Sequence, residues 1–347
     1  MKYLVTVLIA VVAAQSSAAS FDCNSADVVR DIDRFICNDP EISALDEKMG
    51  MLYQENYRKL SPTSRVAYLN SQRSWLNYWP GACLRESDEK DTLESAKANN
   101  CVKQEYERRI EQLSVLTNHQ SWQIYKVSKS ALTKAKKGDV RDGVRFTQHQ
   151  LNYPQIEGQH LSEKDQREIK KINGWITQSI RQVGLKNRVN FNEDYMDSFL
   201  FSSLDDPAPD VQTLKTILYT YGFGAHGNTV LANYHYMISE NRNLVAEDFF
   251  EGNWKNMIAE QSFAQLKAKL QSNFFVQTVS DLSQSTQRTS NWRFYREGLQ
   301  ISFNQYEVGP YSEGSPEVLI PWVKLQNYLT PYGKSQIALM QDNKLPR

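Results

Sequence analysis

Cysteine is missing from the last two-thirds of this 347-residue chain; Cys23, Cys37, Cys83 and Cys101 are its only four. Everything downstream therefore lacks a thiol nucleophile or a thiolate metal site. Net charge is also missing, since 40 basic side chains face 40 acidic ones. No bulk field favours nucleic acid or an anionic membrane. After the first twenty or so residues there is no apolar run long enough to span a bilayer. The signatures HExxH, HxE and GxSxG, the phosphate-binding loop and the dinucleotide fingerprint do not occur. The five histidines, His119, His149, His160, His226 and His235, are scattered. One absence is local: between Gly298 and Val323 there is no lysine or arginine, in a stretch that holds Glu307, Glu313 and Glu317.

The N-terminus reads as an export leader. Lys2 precedes an apolar run from Tyr3 to Ala14, and Ser17 and Ala19 occupy the small-residue places before a cleavage after Ala19. Residues 1–19 are thus expected to be removed, leaving a periplasmic or secreted protein without a membrane anchor. Phe21 and Asp22 stand between the small residues and Cys23, which argues against a lipid anchor. Four cysteines in an exported chain imply two disulfides, with three pairings open. A zinc site has less support, because no cysteine pair has close ligand spacing and no histidine lies among them.

Two regions follow different periodicities. Residues 20–117 read as helical. Asn38-Asp39-Pro40 gives a cap and a first-turn proline. Ile42, Leu45, Met49, Leu52, Tyr53, Tyr57 and Leu60 then recur at three and four residues. Ser61-Pro62 starts a second helix, with Val66, Leu69 and Leu76 expected inward beside Trp75 and Trp79, and Pro80-Gly81 expected to break it. Val102, Tyr106, Ile110 and Leu113 mark a further helix. Residues 118–143, with several lysines around Lys134–Asp139, read as a linker helix and turn whose charges are a solvated face. From 144 to 335 strands outnumber helices and pair as hairpins, so the expected class is α+β with an antiparallel sheet. Residues 336–347 are expected to be a tail.

Chemistry is hard to find. His226 and His235, nine residues apart, would meet at a metal only if the strand between them curled back, and rings bonded to backbone are the better expectation. Asp205-Asp206 and Asp248 are carboxylates without a catalytic frame. The expectation is a protein that is not an enzyme and needs no cofactor or metal. The informative stretch is NQYEVGPYSEGSPE, Asn304 to Glu317, set between apolar strands at Gly298–Phe303 and Val318–Val323. Pro310 and Pro316 restrict the free loop, lowering the ordering cost of binding. Tyr306 and Tyr311 offer large contact area with few rotatable bonds. Asn304, Tyr306, Glu307, Pro310, Tyr311 and Glu313 are the candidate partner-binding residues, although tyrosines packed beneath a long hairpin would look the same.

The first region resembles the LprI-type lysozyme inhibitor domain. Asp22-Cys23, Ile36-Cys37, Leu45-Asp46, Gln72 with Trp75-Leu76, and Cys101 with Tyr106, Arg109 and Ile110 carry that resemblance. It departs by a long insert, Leu84–Asn100, and by Tyr78-Trp79 where the family has Arg-Asp. The second region is similar to the extracellular domain of RsiV-type anti-sigma factors. The similarity rests on Tyr153–Gly158 with Ile172-Asn173, on Gly224–Asn228, on Glu247–Phe250, and on Phe303–Glu317 followed by Ile320–Trp322. Both resemblances imply lysozyme or a related muramidase as partner. The implied function is an exported lysozyme-binding protein, a proteinaceous inhibitor protecting the cell wall through its acidic Tyr/Pro loop. A peptidoglycan-binding module, or an immunity protein against a delivered muramidase toxin, is the alternative. A cell-wall hydrolase has the least support.

Overall fold

A computed structural model describes residues 19–25, 28, 30–83, 96–114, 116–119, 122–135, 146–158, 161–186 and 195–342. The expected leader up to residue 18, the lysine-rich segment from residue 136, most of the insert after Cys83 and the last five residues lie outside them. In chain order the helices are α1 (Asp31–Asn38), α2 (Pro40–Lys59), α3 (Pro62–Cys83), α4 (Ala96–Leu113), α5 (Glu163–Lys186), α6 (Ala246–Phe249), α7 (Trp254–Leu270), α8 (Ser283–Gln287), α9 (Trp322–Leu325) and α10 (Pro331–Asp342). The strands are β1 (Thr117–His119), β2 (Trp122–Lys134), β3 (Phe146–Glu157), β4 (Asp197–Ala208), β5 (Val211–Tyr221), β6 (Asn228–Met237), β7 (Arg242–Asn243), β8 (Trp292–Phe294), β9 (Gly298–Ser302) and β10 (Glu317–Pro321). The class is α+β, with disulfide-stapled helices at the N-terminal end and largely antiparallel sheets.

Contacts divide the chain into two units: residues up to 59 with 86–114, and residues 60–85 with 115–347. The first contains α1, α2 and α4. Asp39 caps α2, its Oδ1 accepting the backbone N–H of Glu41 at 2.9 Å and of Ile42 at 3.0 Å. Ile42, Met49, Val102, Tyr106, Ile110 and Leu113 form the buried stripes of α2 and α4. Cys23 and Cys37 are bonded to each other, and Cys83 and Cys101 are also in disulfides. So small a helical core gains from such staples.

The second unit is built on a seven-stranded sheet in the order β1 to β7, antiparallel except between β3 and β4, which run parallel. The helix between those two strands, α5, covers one face. Ile172, Ile176, Ile180 and Val183 pack there against Ile156, Leu200, Leu214, Leu218 and Tyr236. Two of the motifs named above meet here: the Asn173 amide accepts the Ile156 N–H at 2.8 Å and donates to its carbonyl at 2.7 Å. Helix α3 lies against β2. Ser71 Oγ accepts the Ser128 N–H at 2.8 Å, and Ser74 Oγ accepts that of Ser130 at 2.7 Å.

Several expectations are corrected. Residues 122–134 form a strand, not a linker helix. Trp122 and Ile124 pack toward the α5 core while Tyr125 meets Tyr68 of α3, so both faces are covered and the alternation that marks a half-solvated strand is lost. In α3 the inward residues are Tyr68, Trp75, Tyr78 and Trp79, each at most 3% exposed, while Val66 and Leu76 point outward. The aromatic rings offer more area to bury than the aliphatic residues and set the phase of the helix. Pro80 does not end α3, which continues to Cys83.

A second core is formed by the C-terminal half of the same unit. Phe249, Phe250, Trp254, Trp292, Phe303 and Ile320 are all at most 2% exposed. Helix α10 adds Ile337 and Met340 from the segment expected to be a tail. A three-stranded sheet, β8-β9-β10, supports the hairpin that carries the candidate loop. Gly298 is required where β9 meets β10, because a Cβ there would lie 2.3 Å from the Ile320 carbonyl oxygen.

Candidate functional site

The strands β9 and β10 pair from Gly298–Pro321 to Ser302–Glu317, and the loop begins where that ladder ends. Its base is fixed by apolar anchors. Phe303 and Val308 are fully buried, Phe303 N–H donates to the Pro316 carbonyl at 2.9 Å, and the Val308 carbonyl accepts the Phe275 N–H at 3.0 Å. Pro310 leads into a single helical turn, Tyr311–Glu313, which Gly314 ends with φ of +64°.

Asn304 and its neighbour finish an otherwise open strand edge. Asn304 Oδ1 accepts the Leu231 N–H of β6 at 2.7 Å, and its amide donates to the Leu231 carbonyl at 3.4 Å. Gln305 Oε1 accepts the Thr229 N–H at 2.8 Å. Side-chain amides thus satisfy backbone groups that a further strand would otherwise have paired.

The glutamates are turned to the loop's own neighbours. Glu307 accepts the Asn304 N–H at 2.8 Å, receives the Ser285 hydroxyl, and lies 3.7 Å from the Arg288 guanidinium. Glu313 accepts the Asn273 amide at 2.7 Å, and Glu317 accepts the Ser302 hydroxyl at 3.0 Å. Glu307 shapes the turn at Asn304–Glu307 and does not project from it.

Tyrosines project instead. Tyr306 sits at φ +64°, a left-handed conformation uncommon for a bulky residue, and is 54% exposed. His226, from the turn between β5 and β6, joins the two tyrosines in a cluster of three rings. Its ring stacks on Tyr311 with centroids 3.9 Å apart, and Tyr306 and Tyr311 are 5.7 Å apart. His226 Nδ1 faces the Gly227 carbonyl at 3.0 Å and so carries the proton; Nε2 then accepts the Tyr306 hydroxyl at 3.2 Å. Tyr311 donates to the same Gly227 carbonyl at 3.1 Å. Both ring nitrogens of His235 are also bonded within the protein, Nδ1 to Thr213 at 2.9 Å and Nε2 to the Thr289 carbonyl at 3.1 Å. Burial lowers the His235 pKa to about 4. Among the described residues no three metal-ligating side chains converge.

The aromatic surface extends beyond the loop. Tyr219 packs against Gly227 so closely that a Cβ on that glycine would sit 2.3 Å from its ring. Tyr219 is the cross-strand partner of Phe199, and Ile217 that of Phe201, so all four share one sheet face. Phe201, Ile217 and Tyr219 are 37%, 46% and 36% exposed. From Ile217 through Tyr219, Gly227 and His226 to Tyr306 the surface is contiguous and mostly aromatic. Burial is the main reason that the Tyr219 pKa is raised, with Tyr311 close enough to add to it. Sequence reading singled out Tyr306, Tyr311 and Pro310 but neither His226 as their companion nor the strand residues. The outward places of β4 and β5 are the only sequence signal that could have found the latter: an alternating pattern with large apolar residues on both sets of positions.

Residues 247–323 match a family described as "Protein of unknown function (DUF3298)". That span includes the loop and much of the second core. Two solved structures of that family are similar to this chain. One, from Bacteroides fragilis, is 14% identical, with 65% of this chain and 100% of that one covered, at a TM-score of 0.45. The other, from Pseudomonas aeruginosa PAO1, is 14% identical, covers 60% of this chain and 94% of that one, and has a TM-score of 0.42. No curated protein matches this sequence. Among the described residues no helix is long and apolar enough to cross a membrane.

Proposed function

We propose that this chain is an exported lysozyme-binding protein that inhibits muramidases, without catalytic activity of its own. The observation that carries the reading is the exposed Tyr306 ring, held in a left-handed conformation on a loop whose backbone is already bonded to its surroundings. A surface that is ordered before it binds loses little entropy on association. Large aromatic anchors at its centre are the usual source of affinity in protein interfaces. The neighbouring Phe201, Ile217 and Tyr219 would supply the apolar rest of the contact. The resemblance of the two regions to lysozyme-directed domains supplies the partner class, and the lack of basic residues from Gly298 to Val323 suits a basic enzyme.

The test is a calorimetric titration of the mature protein with an animal-type lysozyme, together with a turbidity assay of cell-wall lysis. One-to-one binding with loss of lytic activity is expected. Absence of binding, with retention on purified sacculi in a pull-down, would replace this reading with that of a peptidoglycan-binding module. Clearing of peptidoglycan in an activity gel would overturn the non-catalytic assignment.

A further inference from the structure

The N-terminal unit contains two deeply buried aspartates, Asp33 and Asp46, 7% and 3% exposed. A carboxylate withdrawn from water is stable as an anion only when paired or richly hydrogen-bonded. Asp33 is paired, with the Arg30 guanidinium bonded to both its oxygens at 2.7 and 2.8 Å. Asp46 has neutral partners: the Tyr106 hydroxyl at 3.0 Å on Oδ1 and the backbone N–H of Ser20 at 2.7 Å on Oδ2. Ser20 is packed against helix α2, for a Cβ on Gly50 would lie 2.6 Å from the Ser20 Cβ.

Ser20 is also the residue that follows the expected leader cleavage site, where Ser17, Ala18 and Ala19 are all small. We propose that leader removal at this bond completes the N-terminal unit by placing a new α-ammonium on Asp46. Hydrolysis of the Ala19–Ser20 amide by water, catalysed by a leader peptidase, leaves a carboxylate on Ala19 and a protonated amine on Ser20. The nitrogen already lies at hydrogen-bond distance from Oδ2, so cleavage converts one neutral N–H into a full positive charge without moving it. The precursor then holds Asp46 with neutral donors, and the mature chain holds it in an ion pair. Asp46 would thus be the docking site for the mature terminus, and the stability of the helical unit would depend on where the leader is cut.

The experiment compares four full-length mature chains. Two begin at Ser20 and two retain Ala19, each made with and without Asp46→Asn, and thermal unfolding is followed for all. The first residue of the exported protein, determined by mass spectrometry, is expected to be Ser20. Retaining Ala19 is expected to lower the unfolding temperature of the Asp46 chain by on the order of 5 °C, and to leave the Asp46→Asn chain unchanged. Equal loss in both backgrounds, no loss in either, or a first residue other than Ser20 would overturn the proposal. A measurement on the unsubstituted chain covers the case in which Asp46→Asn fails to fold. The Ser20 amine, carbon-13 methylated and titrated by NMR, is expected to titrate well above the roughly 7.7–8.0 of a free terminus. An ordinary value would also sink the idea.

Discussion

Tyr306→Gly separates a binding role from a structural one. At φ +64° a tyrosine costs about 1–2 kcal/mol relative to an ordinary backbone conformation, a strain that glycine does not carry. Against this gain, glycine has more unfolded freedom to lose, about 0.5–1 kcal/mol. The substitution also forfeits the ring contacts to His226 and Tyr311, centroids 6.2 and 5.7 Å away, which contribute about 0.5–1.5 kcal/mol. These contributions nearly cancel, so urea denaturation is expected to place the variant within about 1 kcal/mol of the parent. Binding has no such cancellation. An exposed aromatic at the centre of an interface contributes about 2 kcal/mol or more, so lysozyme affinity measured by calorimetry is expected to fall by at least about thirtyfold. Tyr306→Phe keeps the ring, removes its bond to His226 Nε2, and is expected to lose far less affinity. Unchanged affinity in the glycine variant would remove Tyr306 from the interface. A stability loss well beyond about 2 kcal/mol would mean that the ring is there to hold the loop.

His235 makes acid stability a second test. Burial depresses its folded pKa to about 4 from an ordinary 6.5, so the unfolded chain takes up its proton first as pH falls. Its contribution is therefore fully present above 6.5 and is lost progressively down to about 4, by a total of about 3 kcal/mol. Urea midpoints measured from pH 7 to pH 4 should fall less steeply in His235→Gln than in the parent, and parallel curves would refute the assignment. In Gly298→Ala the new methyl would meet the Ile320 carbonyl oxygen at 2.3 Å, backbone that cannot swing away. An unfolding free energy lowered by about 1–3 kcal/mol is expected, and a neutral result would mean that β9 and β10 can separate there at no cost.

What could be read from the sequence follows how local each signal is. The Asp39 cap, the α2 and α4 stripes and the C-terminal hairpin rest on residues within a few positions of one another, and they lie where the pattern puts them. Strand β2 was hidden because helices cover both its faces, and the phase of α3 because its aromatic residues, not its aliphatic ones, face the sheet. The site was legible only in part. Tyr306 and Tyr311 stand close in the chain, but His226 is 80 residues from Tyr306 and joins it only through the fold. The β4 and β5 residues enter the same surface through cross-strand pairing, which has no counterpart at short range.

Charge shows the same limit from the other side. Three glutamates without a nearby basic residue in sequence suggest an electrostatic lure, yet Arg288, nineteen positions before Glu307, reaches its carboxylate and offsets it. The hydrogen-bond partners of the Glu313 and Glu317 carboxylates, Asn273 and Ser302, are neutral and offset nothing. Two negative charges, one exposed at Glu317 and one half-buried at Glu313, can steer a basic partner toward the loop, an effect on association rate that salt suppresses. They contribute little to holding it there, since surface pairs are screened and count for at most about 1 kcal/mol. Retention would have to come from the rings, whose position is set by a backbone that neither salt nor the partner needs to rearrange. The glutamate in the middle of the motif is then architectural. Glu307 fixes the Asn304 turn, and that turn sets Tyr306 in the left-handed conformation from which the proposed contact would be made.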